Sequence, residues 1–350
     1  MCIYYTKKRS LHYTGQDHIF PAGIGGIRKL PKGYVSDEFN NDISKLEQSF
    51  LRESLISAAR QLEGPGKRGS FSEQHATKSN IHLIVNVRDR QITGLGYIKL
   101  GRTIEIPQVK INTATGELAI SFDKSSATHL EDSINEFRSQ CNSAYDLRVK
   151  MIVDDRLDSN IIFFGIENEI EENFNAFFAK HSSNKMDVTA DKIQAIGNSL
   201  KNVGKDSVSQ KYLPSSHHTV KFDIEYFRIY GKIAFNFLAE LKGTDLIMKP
   251  EFDSIRNWIA AGGDNKYAHL DNGPGIFKDL PIINSESVHY VILMKAEHSL
   301  YAHLSFYGAM KAIVVLDKDY KEPFATNGLI CDWKGHQEYD FLEYIGKIEQ

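Results

Sequence analysis

Between Gly15 and Gly33 the chain carries five glycines and two prolines: Gly15, Pro21, Gly23, Gly25, Gly26, Pro31 and Gly33. Such a stretch leaves little room for a helix. It follows the short β-prone run Ile3-Tyr4-Tyr5, and a second short strand is expected near Gly33–Val35. After it, Ile43, Leu46, Phe50, Leu51, Leu55, Ile56 and Leu62 recur at spacings of three to four. That pattern predicts one amphipathic helix of about five turns. Asn41 or Asp42 is its expected N-cap, and Gly64-Pro65-Gly66 stops it. The chain up to Gly66 therefore reads as strand, long glycine-rich turn, strand and helix.

The rest of the chain reads as a mixture of strands and helices. Residues 67–216 form a strand-rich middle region with helical insertions. Ile81–Val87, Ile104–Ile111, Glu117–Phe122, Lys150–Val153 and Ile161–Phe164 fit short strands, with a turn at Thr115-Gly116. Pro107 pushes its strand toward an edge or a bulge. Helices are expected over Ala127–Tyr145 and over the acidic run Ile166–Lys180, and residues 182–216 read as a partly helical excursion. Residues 217–350 form a C-terminal α+β region. Its apolar helix carries Phe227, Ile229, Tyr230, Ile233, Ala234, Phe237, Leu238 and Leu241. A second helix follows from Glu251 to Gly262-Gly263. Strands are expected at Val288–Met294, Leu300–Tyr307 and Ala312–Leu316, with a hairpin turn at Asn327-Gly328. The fold class is α+β.

Charge divides unevenly. The whole chain has a formal net charge of −3. The stretch Met1–Ser70 holds eleven Lys/Arg against seven Asp/Glu, a balance of +4, and the rest carries −7. The basic groups cluster at Lys7-Lys8-Arg9, Arg28-Lys29 with Lys32, and Lys67-Arg68, which makes a phosphate-facing patch an expectation. No apolar run reaches the roughly 18 residues of a membrane span. Met1–Arg9 has no apolar core of the kind a secretory signal needs. The three cysteines, Cys2, Cys141 and Cys331, are far apart and form no CxxC pair. They argue against a disulfide framework, so a cytoplasmic protein with no membrane partner is expected.

The stretch with chemical content is Asp17-His18-Ile19-Phe20-Pro21-Ala22-Gly23-Ile24-Gly25-Gly26, followed by Val35-Ser36-Asp37-Glu38-Phe39-Asn40-Asn41. It brings an acid, an imidazole and an amide oxygen onto one turn-and-helix unit. A neutral imidazole can deprotonate water near pH 7. A carboxylate and an amide oxygen suit a hard divalent ion, which would neutralise charge on a phosphodiester.

These two blocks resemble the HNH endonucleases of the ββα-metal fold. They are most similar to the subgroup reading roughly C-x-x-C, then E/D-H-I-I-P-A-x-L-G-G, then V-C-x-x-C-N-N before an amphipathic helix. The resemblance directly covers the N-terminal stretch, from Cys2 into the helix that follows Asn41. It implies an N-terminal ββα-metal nuclease module over residues 1–66, in front of the larger mixed region. By it, His18 is the general base, and Asp17 and Asn40 hold Mg²⁺ or Mn²⁺, with Asn41 as the other candidate for the second ligand. Arg28, Lys29 and Lys32, and at lower rank Lys67 and Arg68, would contact nucleic acid. The implied activity is metal-dependent hydrolysis of nucleic acid, with DNA preferred to RNA, and a defence role against phage. Target choice would come from the remainder of the chain, a partner protein or a second copy. The alternative is a module that binds nucleic acid or a partner but no longer cuts.

The chain departs from the pattern at the cysteines. Tyr5, Ser36 and Phe39 stand where three of the four zinc thiolates would be, so no structural zinc is expected. Packing of Tyr5 against Phe39 is the expected replacement. The central asparagine of the family also has no clear counterpart, because Leu30-Pro31-Lys32 occupies its position. Glu47 and the adjacent pair His217-His218 read as surface or structural residues.

Overall fold

The structure, a computed structural model, describes residues 2–6, 10–66, 69–70, 72, 75–123, 130–171, 174–200, 214–216, 223–273 and 286–348. Lys7–Arg9, Lys67-Arg68 and His217-His218 lie outside these residues. The chain divides into two compact units, one built from residues 1–77 together with 220–350, the other from residues 78–219. Each is mixed α and β. No helix among the described residues is long and apolar enough to cross a membrane.

In chain order the first unit opens with helices α1 (Asp37–Glu53) and α2 (Leu55–Glu63). The second unit holds β1 (His82–Asn86), β2 (Ile92–Lys99), β3 (Arg102–Glu105), β4 (Gln108–Asn112), β5 (Leu118–Ser121), α3 (Leu130–Asn142), β6 (Val149–Val153), β7 (Ile161–Glu171), β8 (Phe174–Lys180), α4 (Ala190–Ser199) and β9 (Pro214–Ser216). The first unit resumes with α5 (Phe227–Ile247), α6 (Asp253–Ala261), β10 (Ala268–Leu270), β11 (Val288–Ala296), β12 (Ser299–Phe306), β13 (Met310–Asp317), β14 (Asn327–Asp332), β15 (Gln337–Asp340) and α7 (Phe341–Ile348).

In the second unit, β3-β2-β1-β9 form one sheet and β5-β4-β7-β8-β6 another, with β6 and β8 parallel. Pro107 separates β3 from β4, and Gly116 turns β4 into β5 with φ +76°. The acidic helix expected over Ile166–Lys180 is instead the end of β7 and all of β8, paired antiparallel. Ala176 and Phe178 enter one core, and Phe177 and Ala179 enter another. A strand buried on both faces reads as a continuous apolar run, which periodicity alone does not separate from a helix.

In the first unit, six antiparallel strands run in the order β10-β13-β12-β11-β14-β15. One face carries Val291, Leu293, Ala302, Leu304 and Val314 into the main core; the other packs Tyr290, Ile292 and Ile330 against Phe341 of α7. Helix α5 is apolar on nearly every side and runs through the main core, as a fully buried helix should. Cys2, Ile3, Tyr4, Ile19, Phe20, Phe39, Ile43 and Phe50 belong to that same core. The N-terminal segment through Gly66 and the C-terminal region thus bury one shared interior. Asn327-Gly328, expected as a hairpin turn, starts β14 instead. A Cβ at Gly328 would lie 2.7 Å from Ile292, so this glycine permits close strand packing.

The N-terminal segment also differs from its expected form. Ile3–Tyr5 and Gly33–Val35 are turns and irregular backbone rather than strands, tied by Ile3 N–H to Tyr34 O at 2.8 Å. Helix α1 begins at Asp37, with Ser36 Oγ accepting from Phe39 N–H, so neither Asn41 nor Asp42 is its cap. Ser54 breaks the amphipathic run, capping α2 through Ile56 N–H at 3.1 Å.

The glycine turn is tight. Gly26 N–H bonds Pro21 O, and a Cβ at Gly26 would lie 1.9 Å from Phe20 O. Gly26→Ala is expected to destabilise the first unit by about 2–4 kcal/mol, read as a lower urea midpoint. Gly15→Ala, where an added Cβ meets nothing within 4 Å, should stay within about 0.5 kcal/mol of wild type.

Candidate active site

The turn between Asp17 and Leu30 is closed by two backbone hydrogen bonds. Leu30 N–H donates to Asp17 O at 2.8 Å and Ile19 N–H to Arg28 O at 3.0 Å, around a single antiparallel bridge of His18 with Lys29. This fixes the Asp17–His18 backbone against the core through the buried Ile19 and Phe20.

Asp17 faces inward. Its Oδ2 lies 2.9 Å from Lys232 Nζ, which also lies 3.1 Å from Oδ1. The same ammonium reaches Glu47 Oε2 at 3.0 Å. Asn236 Nδ2 donates to Asp17 Oδ2 at 2.9 Å and to His18 O at 3.0 Å. Tyr4 OH donates to Asn236 Oδ1 at 2.6 Å. Lys232 and Asn236 are four residues apart on α5 and so share one helix face. Burial opposes the charge on Lys232, but Asp17 and Glu47 together hold its ammonium above the ordinary lysine value.

His18 is half-buried, and no hydrogen bond joins its imidazole to another described residue. Burial, then Lys29, lowers its pKa; Asp17 pulls the other way, Lys232 lowers it further, and Glu47 raises it. The net shift is downward, which favours the neutral ring, the form able to accept a proton.

Asn40 is half-buried and Asn41 exposed on α1. Asn40 and Glu47 are seven residues apart, two turns along one face, or about 10 Å. The Asn40 amide makes no side-chain hydrogen bond to a described residue. Lys232 thus joins Asp17 to Glu47, one of the acids that acts on His18. No hydrogen bond joins the side chain of Asn40 or Asn41 to Asp17 or His18 among the described residues.

The basic residues separate. Arg28 is held by Asp340 at 2.9 Å and Glu240 at 3.5 Å, and its own N–H bonds Glu338 at 2.6 Å. Lys29 and Lys32 are exposed. Lys32 lines an open hollow of about 630 Å³ with Tyr34, Thr244, Asp245, Met248 and Lys249. Lys67 and Arg68 fall outside the described residues.

Where the family pattern places cysteines, aromatic rings pack. Tyr4 stacks on Phe39 with centroids 3.9 Å apart, and Tyr5 meets the edge of Phe39 at 5.6 Å. All three cysteines are buried and free.

A hard divalent ion takes oxygen ligands such as carboxylate and amide. A carboxylate offers about four lone-pair sites, and three contacts occupy Asp17, one on Oδ1 and two on Oδ2. By that count one lone-pair site on Oδ1 takes no hydrogen bond from a described residue, and neither does the Asn40 amide oxygen. Asp17 and Glu47 against Lys232 leave one net negative charge. Among the described residues no group of three or more His, Cys, Asp or Glu side chains is placed to hold a metal. A site here would therefore draw on the amide, water and phosphate, as Mg²⁺ sites commonly do.

Lys232, Asn236 and Tyr4 were not singled out from the sequence as site residues. The available signal was the run Lys232-Ile233-Ala234-Phe235-Asn236-Phe237-Leu238-Ala239, where two polar side chains interrupt an otherwise apolar helix. No protein-family model, no curated protein and no solved structure matches the chain.

Proposed function

We propose that the chain is a metal-dependent endonuclease of HNH type that hydrolyses phosphodiester bonds, with DNA as the preferred substrate. The observation that carries this reading is His18: a half-buried imidazole with a lowered pKa, on a backbone pinned beside a partly buried carboxylate. His18 would take the proton of the attacking water. Asp17 and Asn40 would hold Mg²⁺ or Mn²⁺, which when bound supplies charge neutralisation at the phosphate and the leaving oxygen. Lys232 holds the Asp17 carboxylate in place. Lys29 and Lys32, both exposed, are the basic residues open to the nucleic-acid backbone, while Arg28 joins the turn to Glu240 and Asp340.

Asn40 is assigned over Asn41 because it lies on the inward face with Glu47, whereas Asn41 is exposed. Asn40→Ala is expected to raise the Mn²⁺ concentration for half-maximal cleavage by about tenfold or more. Asn41→Ala should leave it within about twofold. The reverse order would move the ligand to Asn41; no effect of either would remove the metal from this helix.

A second reading is favoured by the Asp17 contacts themselves. A buried ammonium at 2.9 Å competes with a divalent ion for the same carboxylate. In that reading the fold binds nucleic acid or a partner without cutting, and no cleavage accompanies binding in Mg²⁺ or Mn²⁺.

A further inference from the structure

Asn236 makes three hydrogen bonds at full burial. Its Nδ2 has two hydrogens. One goes to the Asp17 carboxylate and the other to the peptide oxygen of His18, so the side chain of one residue and the backbone of the next are tied to a single group. Both of those partners accept only, which fixes which end of the amide is nitrogen. The other end receives Tyr4 OH at 2.6 Å, and the Tyr4 ring is clamped on Phe39 of α1. The amide is therefore held from both sides and has one orientation.

We propose that Asn236, brought by α5 from 218 residues further along the chain, is a positioning residue for the Asp17–His18 pair. It supplies what the glycine turn lacks locally, where Leu30-Pro31-Lys32 offers no side-chain amide. With Asn236 bonded, the His18 segment is held on three sides, by Arg28 O through Ile19 N–H, by Leu30 N–H through Asp17 O, and by Nδ2 at its own carbonyl. The imidazole then projects from a backbone that cannot rotate freely. One turn earlier on the same face, Lys232 bonds the Asp17 carboxylate at 2.9 Å. A rigid buried helix thus orients a base that sits on a loop.

The rate arm of the test rests on the nuclease reading; a second arm does not. In the full-length protein, Asn236→Ala is expected to lower kcat about tenfold or more while KM for plasmid DNA stays within about twofold, since Asn236 is buried away from substrate. Reaction of His18 with diethyl pyrocarbonate, mapped by mass spectrometry, should be several-fold faster in Asn236→Ala than in wild type. Tyr4→Phe removes only the hydroxyl that anchors the amide. It should show the same signs with a smaller loss of kcat, about threefold, and it carries the test if Asn236→Ala does not fold. Unchanged His18 labelling in a folded variant overturns the proposal, as does a loss confined to KM. If no protein cleaves but labelling still rises, the nuclease reading fails and the positioning role stands.

Discussion

His18→Ala is expected to lower the cleavage rate by about 10²–10⁴-fold while leaving nucleic-acid affinity near that of wild type. The size follows from the role: a general base contributes in the transition state and little to ground-state binding. The side chain is half-buried and bonds no described side chain, so its removal costs the fold little. The pH profile carries the same assignment. Burial first, then Lys29, depresses the His18 pKa below 6.5, with Lys232 adding and Asp17 and Glu47 opposing. A base works only when deprotonated, so the acid limb of kcat/KM should fall below pH 6.5. Activity should be above half its plateau at pH 6.5 and be lost as the pH drops through the depressed value. An acid limb centred above pH 7 would assign the titration to another group.

The second large effect is on stability. Lys232→Met removes the only cation bonded to both Asp17 and Glu47 among the described residues. Its side chain is 3% exposed and that of Asp17 12%. Breaking a buried pair by deleting one partner costs about 3–5 kcal/mol, because a charge is left without compensation. For a unit of this size that corresponds to a fall in Tm of about 10 °C. Adding Glu47→Gln to Lys232→Met should recover part of the loss, since it removes one of the two stranded carboxylates. The wild-type pH dependence has a definite sign. The Lys232 pKa is raised in the folded state above the ordinary 10.5. Its contribution is therefore fully present below the unfolded value and lost as pH rises through the folded one. Lys232→Met should lack that alkaline loss, whose onset above pH 10.5 is followed by thermal unfolding of both proteins from pH 9 to 12.

Much of the first unit's scaffold could be read from residue spacing. The apolar positions of α1 and α5 repeat at helical intervals, and the glycine turn announces itself by composition. The aromatic packing of Tyr5 on Phe39 was also legible, as a consequence of the missing thiols. What spacing could not supply was the partner of Asp17. Lys232 and Asn236 stand 215 and 219 positions from it in sequence, and only the shared core brings α5 under the turn. Local propensity likewise failed for Ile166–Lys180, where burial on both faces of β8 erased the period-two signal. Gly328 was misread because a glycine needed for strand contact looks the same in sequence as one needed for a turn. The Asn41 and Asp42 caps were misplaced because Ser36, an equally good cap, precedes a first turn too polar to count as part of the apolar run.

Whether Asp17, His18 and Asn40 form a metal-dependent site for phosphodiester hydrolysis is tested most directly by one measurement. It is the nicking of supercoiled plasmid by the wild-type protein in Mg²⁺ or Mn²⁺ and again in excess chelator. The expected result is cleavage that requires the ion and returns when it is restored. Cleavage that persists in chelator, or plasmid bound but left intact with either ion, would contradict the assignment.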